Sequence, residues 1–222
     1  MPELECSLLS DGSSDTLLLP ILEWVVRQHA AEVNVQCRWA DLRRLPNPPT
    51  ALDLRIRKAI ELYPCDVLFI HRDAESQPPD FRYQEIQDAV ANARLRGFSS
   101  PHMCVVPVRM TEAWLLLDEA AIRRAAGNPH GRIDLDMPGP GRVESIPDPK
   151  ATLHDLLTRA SGRCGRRRKK FRPGVEAHRV TEHMTDFSCL RALQGFQRLE
   201  TGVEALLRDL RATSDSGSGS RT

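Results

Sequence analysis

The chain has 222 residues, of which 41% are hydrophobic, and its formal net charge at pH 7 is only +1. This length suffices to bury a full core in one domain with a helical appendix, and the small net charge excludes a protein whose whole surface attracts nucleic acid. No apolar stretch reaches the roughly 20 residues needed to span a bilayer, and the N-terminus lacks the basic start and apolar core of a signal peptide. We therefore expect a soluble, cytoplasmic protein that has no membrane partner.

Predicted strands and helices alternate along the first half of the chain. The strands are predicted over 4–9, 33–40, 66–71 and 103–108, and the helices over 16–29, 52–62, 80–96 and 111–117. Ser13 or Ser14 is the expected N-cap of the first helix, and Pro20 predicts a kink or a restart within it. This alternation favours an α/β fold with a mostly parallel, Rossmann-like sheet and helices on both faces.

The second half of the chain has a different pattern. Its segment 127–149 is rich in Pro and Gly and predicts a long connecting loop. Helical stretches follow over 151–160, 175–184, 188–193 and 196–210. We expect an α/β domain over 1–126, a helical C-terminal subdomain over 150–212 packed on the sheet, and a disordered Ser/Gly-rich tail over 213–222.

Acidic residues follow three of the four predicted strands. Asp73 and Glu75 come directly after the apolar run 67–70, Asp11 follows the first strand, and Glu112 follows the fourth. Ligands of parallel sheets gather at the carboxyl ends of the strands, and two carboxylates share a small volume comfortably only with a cation or a proton between them. Asp11, Asp73, Glu75 and Glu112 are therefore the candidate catalytic residues.

The same acids predict a metal site. Magnesium prefers oxygen ligands and keeps several waters, so that Asp11, Asp73 and Glu75 suffice to hold Mg²⁺ or Mn²⁺. Such a cation polarises a phosphoryl oxygen and activates a bound water. Gly12 and Ser13 are the predicted cofactor contacts, because a glycine lets a phosphate approach the backbone and the following helix N-terminus attracts anions.

Each acidic element also has a simpler interpretation. Asp11 and the residues after it are typical of a turn and a helix cap, and Asp73 and Glu75 of a solvated loop. Thr111 can cap a helix whose dipole Glu112 then favours. Lys150 is either a phosphate contact or an ordinary surface lysine.

Positive charge concentrates in one short segment. Arg163, the basic run 166–170 and Arg172 have no acid nearby in the sequence. Such a run is often a solvated loop, but beside an acidic site it supplies what a phosphate backbone needs. The residues predicted to contact nucleic acid are Arg166, Arg167, Arg168, Lys169 and Lys170.

Three motifs together resemble the Toprim fold, most closely the small Toprim-like proteins related to the nuclease domain of OLD-family proteins. In chain order they are Leu8-Leu9-Ser10-Asp11-Gly12-Ser13-Ser14-Asp15, Asp73-Ala74-Glu75 and Glu112-Ala113-Trp114-Leu115-Leu116-Leu117-Asp118. Toprim domains carry a glutamate-glycine pair after the first strand and Asp-x-Asp after the third. Here Asp11 replaces the glutamate and Glu75 replaces the last aspartate, which keeps the charge and changes the reach.

The resemblance implies a metal-dependent nuclease or phosphotransfer module that acts on DNA or RNA, of the sort that works in mobile-element and phage defence, often beside an ATPase partner. The rival hypothesis is a non-catalytic interaction module that serves an ATPase or another effector. A receiver-like signalling domain, with Asp73 as phosphoacceptor and Lys150 as its lysine, is disfavoured because Asp11 stands where two adjacent acids are needed.

Overall fold

The protein is built around a four-stranded parallel sheet. The computed structural model describes the backbone of residues 3–218 and the side chains of residues 3–213. The strands β1 (Glu3–Leu9), β2 (Asn34–Trp39), β3 (Val67–His71) and β4 (His102–Val105) lie in the order β2-β1-β3-β4, and every neighbouring pair is parallel. The predicted α/β fold with a parallel sheet is therefore confirmed.

Helices account for most of the remaining chain. They are α1 (Leu18–His29), α2 (Leu52–Leu62), α3 (Pro79–Arg94), α4 (Glu119–Ala125), α5 (Pro140–Val143), α6 (Pro149–Ala160), α7 (Gly165–Lys170), α8 (Pro173–His183) and α9 (Gln194–Ser218). Shorter 3-10 turns cover Ser13–Leu17, Leu42–Arg44, Thr111–Leu117 and Ser188–Ala192. Within residues 3–218, no helix combines the length and the apolar character that crossing a bilayer requires.

Every residue of β3 is buried, which shows that both faces of the sheet are covered at this strand. On one face, Leu68 and Ile70 share a core with Ile56 of α2 and Ile86 of α3. On the other, Phe69 belongs to a larger core that contains residues of α1, α4, α6, α8 and α9. Successive side chains of a strand point to opposite faces. The C-terminal helices therefore share one hydrophobic core with the face of the sheet that carries Phe69.

The start of the first helix differs from the prediction. A 3-10 turn occupies Ser13–Leu17, and α1 begins only at Leu18. Pro20 then lies in the first turn of α1, where its missing N–H is not needed. The N-cap of the 3-10 turn is Gly12 and not Ser13 or Ser14, and the Asp15 carboxylate accepts a hydrogen bond from the Gly12 N–H at 3.0 Å.

The segment after β4 also differs. The strand ends at Val105 and not at Val108, because Pro107 has no N–H to extend the ladder. Thr111–Leu117 is a 3-10 turn whose N-cap is Met110, so the predicted capping role of Thr111 is wrong. The α-helix starts only at Glu119, and its cap is Asp118, which accepts a hydrogen bond from the Ala121 N–H at 2.8 Å.

The C-terminal part contains two short helices that periodicity did not predict, α5 within the connecting loop and α7 within the basic run. The helix α9 extends through Ser218, past its predicted end at Leu210 and into the predicted disordered tail. Once a helix has formed, each further residue adds a hydrogen bond at little cost. The rest of that tail, 219–222, lies outside the described residues.

Candidate functional site

A polar pocket of about 310 Å³ opens at the carboxyl edge of the sheet. In the sheet, β1 lies between β2 and β3, so the connection that follows β1 runs to one side and the connection that leads to β3 runs to the other. Ligands of open parallel sheets bind at such a switch point. The lining residues are Asp11, Gly12, Ser14, Asp15, His71, Arg72, Asp73, Glu75 and Arg82. The predicted acids Asp11, Asp73 and Glu75 are thus brought together in one pocket.

Asp73 is fixed at the pocket by several donors. Its Oδ1 accepts hydrogen bonds from the Thr111 backbone N–H at 2.9 Å and the Thr111 hydroxyl at 3.1 Å. The same oxygen lies 3.2 Å from His71 Nε2, which is also 3.0 Å from the Thr111 hydroxyl. One carboxylate oxygen is therefore held rigidly, which is what precise positioning of a reacting group requires.

His71 lies between two carboxylates and is itself only 2% exposed. Besides Asp73, its Nδ1 faces Asp15 Oδ2 at 3.6 Å, which is an ion-pair separation and too long for a hydrogen bond. Nδ1 is buried and makes no hydrogen bond within the described residues. Burial by itself lowers the pKa of His71, but the two carboxylates outweigh burial and raise the pKa to about 9, so that His71 is an imidazolium at neutral pH.

Asp15 stays ionised for the matching reason. Burial by itself raises the pKa of Asp15, but the neighbouring His71 and the hydrogen bond from the Gly12 N–H lower the pKa to about 2. Asp15 is only 7% exposed, and a buried carboxylate is tolerated only when it is paired. Asp15 and His71 therefore form a buried ion pair at the base of the pocket, and the partly exposed Asp73 contacts the other side of His71.

An alternating chain of charged side chains runs along the pocket, which four of its members, Asp11, Arg72, Arg82 and Glu75, line directly. In order, its members are Arg55, Asp11, Arg72, Glu85, Arg82 and Glu75. Asp11 Oδ1 accepts from Arg55 Nη1 at 2.5 Å, and Asp11 Oδ2 accepts from Arg72 Nη1 at 2.8 Å. Both oxygens of Asp11 are thus bound to guanidinium groups.

Glu85 connects the remaining members of this charged chain. Its two carboxylate oxygens accept from Arg72 Nη2 at 2.7 Å and from Arg82 Nη1 at 2.8 Å. Arg82 then donates to Glu75 Oε2 at 3.2 Å and to the Asp73 carbonyl at 3.0 Å. Three guanidinium groups therefore stand where the sequence predicted only acids.

Two residues at the rim have left-handed backbone conformations. Glu75 has φ 54° and Arg109 has φ 68°. The Glu75 N–H donates to the Arg109 carbonyl at 2.7 Å, and Arg109 Nη1 donates to the Glu75 carbonyl at 3.3 Å. Non-glycine residues keep such conformations only where the surroundings hold them, commonly at functional sites.

Of the other predicted residues, some line the pocket and some lie away from it. Gly12 lines the pocket, but Ser13 does not, and Ser14 takes the lining position instead. Glu112 does not line it either; its side chain is 8% exposed and pairs with Lys150 Nζ at 3.4 Å. Lys150 thus contacts an acid rather than the pocket, and Glu112 joins the start of α6 to the segment after β4.

The predicted metal ligands do not fit a resident cation as they are arranged. Asp11 is bound to two arginines and Glu75 to one, and a guanidinium on a carboxylate occupies the position that a cation needs. Within the described residues, no three His, Cys, Asp or Glu side chains are placed to hold an ion together. Binding of Mg²⁺ or Mn²⁺ by Asp11, Asp73 and Glu75 stays a prediction, and it requires these arginines to move.

The basic run forms the exposed helix α7. All five of its predicted nucleic-acid contacts, Arg166, Arg167, Arg168, Lys169 and Lys170, are exposed, and within the described side chains none of them forms an ion pair with an acid. The next helix, α8, packs against the 3-10 turn at 13–17 that borders the pocket. The positive charge of α7 is therefore exposed and available to an anion.

Sequence reasoning missed the cations of the site and its buried partner residues. Arg72 and His71 directly precede Asp73, and Asp15 lies within the motif that supplied Asp11, so adjacency was an available signal. Arg55 comes from α2, and only the tertiary fold places it beside Asp11. Comparison of the chain with protein-family models, curated proteins and solved structures gave no significant match.

Proposed function

We propose that the chain is a Toprim-like nuclease or phosphotransfer module that acts on a phosphoester of nucleic acid. The observation that carries the proposal is the composition of one pocket, where Arg72 and Arg82 lie beside the fixed carboxylate of Asp73. Phosphoester chemistry needs both features, since guanidinium groups bind the anionic phosphate and a positioned carboxylate orients or deprotonates the nucleophile.

The arginines supply the recognition half of this function. Arg72 and Arg82 are 22% and 15% exposed at their side chains, and Glu85 holds both in place. A pre-positioned guanidinium presents two parallel donors to phosphate oxygens. An oxyanion that displaces Asp11 from Arg72 therefore meets donors that need little ordering on binding.

Asp73 and His71 supply the reactive half. Asp73 Oδ1 is held by Thr111 and His71, so the carboxylate is fixed in one orientation. An immobile carboxylate at the edge of a phosphate site is placed to accept a proton from an attacking water or hydroxyl. His71 acts through Asp73 and is therefore a positioning residue.

The helix α7 supplies the contact with the polymer. Its exposed residues Arg166 to Lys170 form a local basic surface on a chain of nearly zero net charge. Cations placed along a phosphate backbone provide affinity that is independent of sequence. We propose that this surface holds the strand whose phosphoester reaches the pocket, and that the chain serves defence against mobile elements beside an ATPase partner.

The test is hydrolysis of labelled DNA and RNA oligonucleotides by the full chain, with Mg²⁺, with Mn²⁺ and with EDTA. Cleavage by wild type and its loss in Asp73→Ala support the proposal, and equal cleavage by both proteins refutes it. Activity that EDTA abolishes supports the predicted metal dependence. Activity that persists in EDTA assigns the chemistry to the side chains alone.

A second function is favoured by the ion pairs that occupy Asp11 and Glu75. Carboxylates that are already neutralised suit a non-catalytic interaction module, in which the acidic site is a structural feature and the chain serves an ATPase or another effector. This candidate predicts capture of an ATPase in a pull-down and no cleavage with either metal. Cleavage that depends on Asp73 contradicts it.

A further inference from the structure

We propose that Asp11 occupies a phosphate-binding subsite formed by Arg55 and Arg72, and that it is a built-in competitor of the substrate phosphate. The inference rests on the proposed function and names the ligand of one part of the pocket. It assigns Asp11 a role opposite to that of a catalytic or metal-binding acid.

Arg55 and Arg72 hold the Asp11 carboxylate from two sides. Arg55 and Arg72 come from α2 and from the end of β3, and each donates to a different oxygen of Asp11, at 2.5 and 2.8 Å. Two guanidinium groups that converge on two oxygens of one anion are an arrangement that also binds phosphate. The Asp11 carboxylate therefore stands where two oxygens of a phosphate would be held.

The positions of Arg55 and Arg72 do not depend on Asp11, because each arginine has a second contact. Arg55 Nη2 also donates to the Ser10 carbonyl at 2.6 Å, and Arg72 Nη2 donates to Glu85 at 2.7 Å. Their side chains are only 14% and 22% exposed. The two cations stay in place when the carboxylate leaves, so the subsite is pre-organised.

Asp11 itself is held much less firmly. Its side chain is 52% exposed, and within the described residues its carboxylate has hydrogen bonds to these two arginines alone. It lies on the bend between β1 and the 3-10 turn. An exposed acid on a connecting segment can rotate away without disturbing the core.

The charge balance supports exchange of one anion for another. The alternating chain contains three guanidinium groups, Arg55, Arg72 and Arg82, and three carboxylates, Asp11, Glu85 and Glu75. Removing the charge of Asp11 leaves three cations against two anions, a local net charge of +1. A phosphodiester, which carries one negative charge, restores the balance and regains the contacts that Asp11 gave up.

The experiment is calorimetric titration of the full chain with inorganic phosphate and, separately, with a short single-stranded oligonucleotide. Asp11→Asn keeps the shape of the side chain and removes its charge; the matched control is Asp155→Asn, which removes an exposed acid on α6. We expect Asp11→Asn to bind inorganic phosphate about 5-fold more tightly than wild type, since an ion pair of about 1 kcal/mol no longer has to be broken. Asp155→Asn should leave the affinity unchanged.

A second variant keeps the test decisive. Adding Arg55→Gln to Asp11→Asn should abolish the gain, because Arg55 supplies one half of the subsite. Phosphate affinity in Asp11→Asn that is equal to or below that of wild type overturns the inference. A gain for the oligonucleotide without a gain for inorganic phosphate also overturns it, since the effect then comes from general charge and not from the subsite.

The result is independent of catalysis. Tighter phosphate binding in Asp11→Asn, combined with a wild type that cleaves neither DNA nor RNA, upholds the subsite and refutes the nuclease function. Cleavage by wild type combined with unchanged phosphate binding in Asp11→Asn does the reverse.

Discussion

Replacing His71 by Gln should destabilise the protein strongly. His71 is buried between Asp15 and Asp73, and its removal leaves two carboxylates facing each other without a cation. Removing one partner of a buried ion pair costs roughly 3–5 kcal/mol. At about 2–4 °C per kcal/mol for a chain of this size, the melting temperature should fall by roughly 6–20 °C.

The pKa of His71 gives a second estimate of the same quantity. The folded-state pKa is about 9 against an ordinary 6.5, a difference of about 2.5 pH units at 1.36 kcal/mol each, or roughly 3 kcal/mol. Because the folded pKa is the higher one, this stability is complete below pH 6.5 and is lost as the pH rises through 9.

The assay is urea denaturation followed by tryptophan fluorescence, since Trp114 is fully buried. Between pH 6.5 and 8.5 the free energy of unfolding of wild type should fall by roughly 2 kcal/mol more than that of His71→Gln. Burial raises the pKa of the Cys65, Cys104 and Cys189 thiols, so these thiols lower the stability of both proteins at the upper end of this range, and the difference between the two curves is what reports on His71. The exposed His130 provides the control His130→Gln, which should behave as wild type. Equal pH dependence in wild type and His71→Gln would show that His71 carries no buried charge.

Three further results are expected. Asp118→Ala removes the cap that accepts from the Ala121 N–H and should cost about 1 kcal/mol in urea denaturation; no loss would show that α4 needs no cap. Because the pKa of Asp15 is lowered to about 2, its contribution to the free energy of unfolding is present above about pH 4 and lost as the pH falls towards 2. Asp15→Asn should therefore flatten the acid limb of the curve of stability against pH. An unchanged limb would contradict the pairing of Asp15 with His71. Replacing Arg167 and Lys169 by Gln should lower the slope of log affinity for DNA against log salt by about 0.7–0.9 for each lost phosphate contact, whereas an unchanged slope would place the strand elsewhere.

The fold was largely predictable because its signals are local. The buried run of β3 and the helical spacing of α2 follow directly from side-chain periodicity. The errors lie where a local rule met a tertiary constraint. Thr111 looked like a helix cap, but in the folded chain its hydroxyl bonds Asp73.

The site was predictable only in part. The convergence of Asp11, Asp73 and Glu75 followed from the rule that places ligands at strand ends. The ion pairs of these acids did not follow from the sequence, because they depend on side chains from other elements. Arg55 lies 44 residues from Asp11 in the sequence, and the spacing of acids carries no information about which cation the fold brings to them.

Phosphoester chemistry in this pocket is tested by the rate at which the purified full chain hydrolyses a labelled oligonucleotide, compared with the rates of Asp73→Asn and of the control Asp155→Asn. Asp73→Asn keeps the shape of the side chain and removes its charge, and Asp155 lies exposed on α6, away from the pocket lining. We expect cleavage at similar rates by wild type and Asp155→Asn, and a rate lower by roughly 100-fold or more in Asp73→Asn. Cleavage by Asp73→Asn at the wild-type rate would contradict the claim that this pocket performs phosphoester chemistry.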